Sequence, residues 1–93
     1  MNTTISHELV SQITSLVQAW NTADRRLREM FHGWEHRATR GGLERGFYLQ
    51  LGQLPGVETV VGDEIDNTET AGRMLYHAYV GGAVTAGLDI ARS

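Results

Sequence analysis

The residues with the clearest chemical potential are arginines, which are concentrated in one part of the chain. All eight basic residues are arginine, and six of them lie within residues 25–45. A guanidinium group binds phosphate or carboxylate through paired N–H donors, so the cluster favours geometry-specific recognition of an anion. The candidate residues for binding an anionic ligand or an acidic partner are Arg25, Arg28, Arg37, Arg40 and Arg45. The alternative is a solvated surface or intersubunit salt bridges, because acidic residues lie within one helical turn of these arginines.

A second pattern with catalytic potential runs from His32 to His36. Its sequence, HGWEH, fits HxxEH and resembles the zinc motif of inverzincin peptidases. The resemblance implies that His32 and His36 are zinc ligands and that Glu35 is the base toward a zinc-bound water. The match covers five residues, and such peptidases are several times larger than this chain. We therefore predict no metal, no cofactor and no catalytic residue, and retain a metal-dependent hydrolase as the weakest functional alternative.

Acidic residues are segregated from the arginines. Five acidic residues and no basic ones occur in the stretch 58–69, namely Glu58, Asp63, Glu64, Asp66 and Glu69. The molecule should therefore present one cationic and one anionic region. Its net charge of −3 argues against generic nucleic-acid binding, which usually requires a basic domain.

A heptad stripe of apolar residues predicts the element that positions these side chains. Its members follow at steps of four and three, which places them on one face of a helix. They are Leu9, Ile13, Leu16, Trp20, Ala23, Leu27, Met30 and Trp34. The helix is expected from about His7 to His32, with Ser6 as its cap. Because so long a stripe needs a partner surface, we predict an oligomer interface formed by Leu9, Ile13, Leu16, Trp20, Leu27, Met30 and Trp34.

Two shorter helices are expected to follow. The second should run from about Gly42 to Gly52, while residues 33–41 are compatible with either a hinge or helix, and 57–61 with a short strand. A capping box of Asp66 and Glu69 predicts a third helix over about 68–91. Small residues on that helix indicate close approach of a second helix, with bulky partners such as Trp20 or Trp34 filling the space.

These elements predict a single all-α domain over residues 1–93. One long N-terminal helix carries two shorter helices folded back on it, in a self-associating helical bundle, with a homodimer as the first expectation. The long helix exceeds the diameter of a compact sphere of this mass, which indicates an elongated hairpin or burial in an oligomer. The sequence has no cysteine, and it shows neither a signal-peptide pattern nor a membrane-length apolar run, so a cytoplasmic location away from membranes is expected.

Three functions remain open on the sequence. The leading one is a small non-enzymatic regulator or inhibitor that binds another protein through a helical surface with Arg-rich and acidic patches. In size and acidity the chain is similar to accessory proteins of phages and mobile elements. The second is an oligomeric binder of a phosphorylated small molecule or nucleotide through the arginine cluster. The hydrolase built on HxxEH is the third.

Overall fold

A computed structural model describes residues 5–82, which form four α-helices and no strand. The helices are α1 (His7–Met30), α2 (Gly33–Gly52), α3 (Glu58–Val61) and α4 (Thr68–Val80). The predicted all-α fold is confirmed. The packing differs from the prediction that both later helices fold back on α1. Here α4 packs mainly on α2, and α2 in turn packs on α1.

α1 begins at its predicted cap and ends slightly earlier than expected. The Ser6 hydroxyl oxygen accepts a hydrogen bond from the Leu9 backbone N–H at 3.1 Å, which satisfies a first-turn donor. The helix ends at Met30 because Phe31 and His32 are extended and Gly33 has a φ of +59°. The described part of the chain measures 48 × 28 × 18 Å. It has the elongated shape that the length of α1 predicts for a hairpin.

α2 begins at Gly33 rather than near Gly42, so residues 33–41 are helix and not a hinge. A glycine inside a helix costs only up to about 1 kcal/mol, so the Gly41–Gly42 pair does not by itself break one. An ion pair from Arg40 to Asp24 also ties this stretch to α1. The tertiary contact therefore outweighs the local preference of the glycines.

The segment after α2 contains a short helix instead of a strand. Residues 57–61 end in the four-residue α3, which follows the Pro55–Gly56 turn. The cap of α4 is Asn67 rather than Asp66, since the Asn67 side-chain oxygen accepts a hydrogen bond from the Thr70 N–H at 3.0 Å. α4 ends at Val80. The predicted continuation over 83–91, with its rows of small residues, lies outside the described residues.

The hydrophobic core joins α1, α2 and α4. Its four fully buried side chains are Leu9, Ile13, Leu51 and Leu75. Aromatic rings extend this core between α1 and α2. Trp20 of α1 stacks on Phe47 of α2, with ring centroids 5.3 Å apart. The core thus fixes the relative positions of α1 and α2, which carry the candidate sites.

The apolar stripe divides into a part that the chain itself covers and a part that it does not. Leu9, Ile13, Trp20 and Leu27 are buried within the single chain. Leu16 is half-buried, whereas Met30 and Trp34 are 68% and 70% exposed. Trp34 lies on α2, because α1 ends before it, so the stripe is not one continuous helix face. The oligomer interface stays a prediction, for which Leu16, Met30 and Trp34 retain accessible surface.

α4 approaches the backbone of α2 closely where the two helices pack together. A Cβ placed on Gly72 would overlap the backbone carbonyl oxygen of Tyr48, and one on Gly52 would overlap that of Thr68. The predicted close approach on the third helix is therefore present at Gly72. Its partner is the backbone of α2 rather than a bulky side chain such as Trp20.

Candidate functional site

Two of the predicted binding arginines converge on a buried carboxylate between α1 and α2. Asp24 accepts hydrogen bonds from Arg28 Nη2 and from Arg40 Nε, each at 2.9 Å, and its side chain is only 10% exposed. Arg40 also pairs with Glu44 at 3.2 Å, and its guanidinium carbon lies 5.3 Å from the ring centroid of Trp20. This Asp24 network joins the two helices through charge-assisted hydrogen bonds.

The contacts of the Asp24 network favour the ionised forms of Asp24 and Arg40. Burial alone would raise the pKa of Asp24, but the hydrogen bonds and positive charges of Arg40 and Arg28 outweigh burial and lower it below the ordinary value of 3.8. The hydrogen bond to Asp24 raises the pKa of Arg40, against the opposing effect of burial. Both groups are therefore ionised at neutral pH, and Arg40 is committed to a structural contact.

Replacing Asp24 with asparagine should lower the free energy of unfolding by about 2 kcal/mol at neutral pH. The expected loss lies between the losses typical of exposed and of buried ion pairs, because Arg28 and Arg40 keep part of their surface in water. The pKa of Asp24 is lower in the folded state, so the ionised carboxylate stabilises the fold above its ordinary pKa. That contribution is lost as the pH falls through the lowered value.

The difference in stability between wild type and Asp24→Asn should therefore shrink below about pH 3.8. Urea unfolding at a series of pH values measures it. Glu64→Gln is the matched control, because Glu64 is exposed and makes no ion pair among residues 5–82. A difference for Asp24→Asn that stays constant down to the acid transition would contradict the ionised pair.

A second network ties α2 to α4. Glu69 accepts from Arg73 Nη2 at 2.9 Å and pairs with Arg45 Nε at 3.4 Å. The hydrogen bond from Arg73 is the main cause of the lowered pKa of Glu69. The Arg73 guanidinium carbon also lies 4.5 Å from the Tyr48 ring centroid. Sequence reasoning placed Glu69 in the acidic stretch and in a capping box, and it did not select Arg73.

The five predicted binding arginines are thus divided by their contacts. Arg28 and Arg40 belong to the Asp24 network, and Arg45 to the Glu69 network. Arg25 and Arg37 are exposed and make no ion pair within the described part of the chain. Arg28 and Arg45 keep 69% and 71% of their side chains exposed in spite of these ion pairs, whereas Arg40 keeps only 36%.

An apolar groove lies between α1 and α2 on the side of the stripe that the chain leaves uncovered. It has a volume of about 270 Å³, and the stacked rings of Trp20 and Phe47 contribute to its lining. The other lining residues are small or apolar, apart from Gln50, and comprise Leu16, Ala19, Ala23, Gly42, Leu43 and Gly46. We call this surface the α1–α2 groove. Sequence reasoning missed it, although Gly42 and Gly46 are spaced four apart, as on one helix face.

A second, more polar pocket lies where α1 ends and α2 begins. It has a volume of about 220 Å³ and is lined by Arg28, Phe31, His32, Gly33 and His36. The Nε2 atom of His36 is buried and has no hydrogen-bond partner. We call this site the histidine pocket. The structure therefore brings both histidines of the HxxEH pattern together with one arginine of the predicted cluster.

The histidine pocket does not supply a metal centre. Among residues 5–82, no group of three or more histidine, aspartate or glutamate side chains is arranged to hold a metal ion. Glu35, the base that the resemblance implies, is exposed and does not line the pocket. The polar side chains of the pocket are two imidazoles and a guanidinium, and the permanent positive charge of the guanidinium favours an anion over a cation.

The chain matches no protein-family model, no curated protein and no solved structure. None of the helices in the described range is both long and apolar enough to cross a membrane. The geometry of the α1–α2 groove and of the histidine pocket is therefore the basis for a functional assignment.

Proposed function

We propose that this is a small non-enzymatic binding protein whose α1–α2 groove receives an amphipathic helix of a partner protein. The observation that carries the proposal is an apolar groove bordered by small residues and left open in the single chain. Such grooves recognise helices by enclosing their apolar side chains at positions one turn apart.

The shape of the groove suits a helix. Cβ atoms built on Gly42 or Gly46 would meet no atom within 4 Å, so the space above both glycines is empty. Ala19 and Ala23 border the groove on α1, which keeps both sides low enough for close approach of another backbone. Leu43 is 49% exposed at its edge and offers apolar surface that the chain does not cover.

Charge indicates the character of one end of the partner helix. Arg26 follows Ala23 by three residues and Ala19 by seven, so it continues the row of α1 that borders the groove. Arg26 and the adjacent Arg25 are both exposed, and neither forms an ion pair among the described residues. A partner helix with acidic residues at the end near Arg26 would complement this charge and gain specificity from it.

The acidic stretch forms a separate surface. Glu58, Asp63, Glu64 and Asp66 are exposed on α3 and the loop that follows, whereas Glu69 is engaged by arginines. The segregation of charge supports a protein with distinct cationic and anionic faces, in line with the regulator or inhibitor predicted from the sequence.

Gly46→Leu should block the groove and weaken binding of a helical peptide at least about tenfold, a change of about 1.4 kcal/mol. The leucine side chain fills empty space, so folding should be retained. Gly46→Ala is the control, because one methyl group leaves most of the groove open. Peptides selected from a randomised helical library serve as probes, and Trp20 emission in a Trp34→Phe background reports occupation of the groove.

Several results would overturn the proposal. The first is a selection that yields no helical peptide, and the second is a set of selected peptides that bind Gly46→Leu and wild type equally well. A third is a wild-type dimer that Gly46→Leu converts to a monomer in sedimentation equilibrium. That result would assign the groove to a second copy of the chain, which is the homodimer predicted from the sequence.

A further inference from the structure

Two large apolar side chains are exposed at the end of the molecule where α1 passes into α2. Met30, the last residue of α1, is 68% exposed, and Trp34, the second residue of α2, is 70% exposed. Neither side chain lines the α1–α2 groove or the histidine pocket. We call residues 25–37, which include both side chains, the α1–α2 tip. We propose that this tip docks on the surface of a membrane that contains anionic lipids.

The tip projects beyond the hydrophobic core. None of the described residues from 21 to 46 belongs to the core cluster, whose last member on α1 is Trp20 and whose first on α2 is Phe47. α4 approaches α2 at Tyr48 and Gly52, which lie beyond Phe47 as seen from the tip. The chain therefore leaves the end of the tip accessible to an extended surface.

The exposed side chains of the tip suit a lipid surface. A protein partner would need a pocket of matching shape to bury a projecting indole ring, whereas the headgroup region of a bilayer closes around a side chain of any shape. Tryptophan is enriched at membrane–water interfaces, because its ring is apolar and its N–H group is polar. The Cα–Cβ bond of a helical residue tilts toward the start of its helix, so that of Trp34 tilts toward the end of the molecule.

The charge of the tip favours anionic lipids. Four arginines and two glutamates give it a net charge of +2 (four minus two) with histidine neutral, and all six side chains are exposed. Only one of them forms an ion pair among the described residues, namely Arg28 with Asp24. Attraction of the arginines to anionic headgroups would add to the apolar contact of Trp34, and stable attachment usually takes two such contributions.

The acidic stretch lies at the other end of α2. A Cβ on Gly52 would overlap the backbone of Thr68, so the loop 62–67 joins the molecule beside the last residues of α2. The helix from Gly33 to Gly52 spans roughly 28 Å. That distance exceeds the Debye length of about 8 Å at physiological salt, so the acidic loop would scarcely repel lipids at the tip.

A nucleic acid fits the tip less well than a membrane. Trp34 offers a single ring for stacking, and the exposed Glu29 and Glu35 would lie against closely spaced phosphates. In a mixed membrane, anionic headgroups can gather around the arginines and leave the glutamates beside neutral lipids. A tip that docks in this way requires no membrane-length apolar run, the feature whose lack favoured a location away from membranes.

Co-sedimentation with lipid vesicles tests the role of the tip. The purified protein should bind vesicles made of equal parts phosphatidylserine and phosphatidylcholine, and should not bind vesicles of phosphatidylcholine alone. Trp34→Ala should lower the partition coefficient roughly tenfold, because it removes an apolar side chain that the headgroup region would bury. Leu43→Ala is the control, because Leu43 is 49% exposed on the same helix but lies at the α1–α2 groove. Circular dichroism confirms that both variants fold.

Two charge variants distinguish the tip from the overall charge of the protein. Glu35→Gln and Glu64→Gln each remove one exposed negative charge that forms no ion pair among the described residues. Glu35→Gln should strengthen binding to the anionic vesicles about fivefold, whereas Glu64→Gln, in the acidic stretch, should leave it unchanged.

Absence of binding to the anionic vesicles would refute docking on a membrane, and binding of a single-stranded oligonucleotide in its place would assign the tip to nucleic acid. Equal losses in Trp34→Ala and Leu43→Ala, or equal gains in the two glutamine variants, would also refute a contact made by the tip. Gly46→Leu, which should block the groove, should bind vesicles as wild type does. Failure of the tip and failure of the groove are therefore distinguishable.

Discussion

Gly72→Ala should lower the free energy of unfolding by roughly 3 kcal/mol or more, at the upper end of the range for overpacked sites. The added Cβ would overlap the backbone carbonyl oxygen of Tyr48 on α2. No side-chain rotation can relieve an overlap with backbone, so α4 would have to move away from α2. That movement would open the interface in which the buried Leu51 and Leu75 take part. Urea unfolding followed by far-ultraviolet circular dichroism measures the loss.

The same substitution at Gly46 should act in the opposite direction. A Cβ there meets no atom within 4 Å, and alanine favours the helical backbone over glycine by up to about 1 kcal/mol. Gly46→Ala should therefore be neutral or stabilising. Equal losses at the two positions would mean that helix propensity, rather than the crossing of α2 and α4, determines the effect at Gly72.

The glycines also show how far a helical pattern can predict packing. Small residues on the third helix predict close approach of another helix, and α2 does approach closely at Gly72. The rows whose spacing carried that prediction continue beyond the described residues. The spacing does not identify which helix approaches, because a row of small residues leaves room for any neighbouring helix. The partner is set by the turn at Pro55–Gly56 and the short α3, which bring α4 back onto α2 rather than α1.

The apolar stripe shows a related limit. Its first part correctly predicts burial of Leu9, Ile13, Trp20 and Leu27. The steps of four and three continue to Trp34 across a break in the helix, because spacing in sequence does not record backbone conformation. Gly33 was the available signal, since a positive φ favours glycine and here accompanies the reversal between α1 and α2.

The candidate sites depend on contacts that sequence spacing does not encode. Asp24 and Arg28 are four residues apart, so their ion pair could be predicted on a helix. Arg40 reaches the same carboxylate from sixteen residues away, which requires the packing of α1 against α2. For the same reason, the HxxEH spacing selects His32 and His36 correctly as neighbours but not Arg28 as the third member of their pocket.

Trp20→Ala is expected to cost about 3–5 kcal/mol, the usual range for removing a large aromatic side chain from a core. Trp20 is 8% exposed, stacks on Phe47 at an interplanar angle of 11°, and carries Arg40 over its ring. The substitution removes both contacts and leaves a cavity beside the α1–α2 groove. Such a loss is a large part of the 5–15 kcal/mol that stabilises a typical domain. Trp20→Phe, which keeps a ring, serves as a milder second variant in urea unfolding.

Trp34→Ala is the matched control, because the same side chain is 70% exposed on α2 and its removal should change stability by no more than about 0.5 kcal/mol. Measuring the free energy of unfolding of both variants at two protein concentrations distinguishes a role in the core from a role in the predicted oligomer interface. A cost for Trp34→Ala that grows with concentration would place this residue in an interface between copies, because assembly stabilises the folded state by mass action. A cost for Trp20→Ala below about 1 kcal/mol would contradict its burial, and with it the stacked pair that forms part of the lining of the groove.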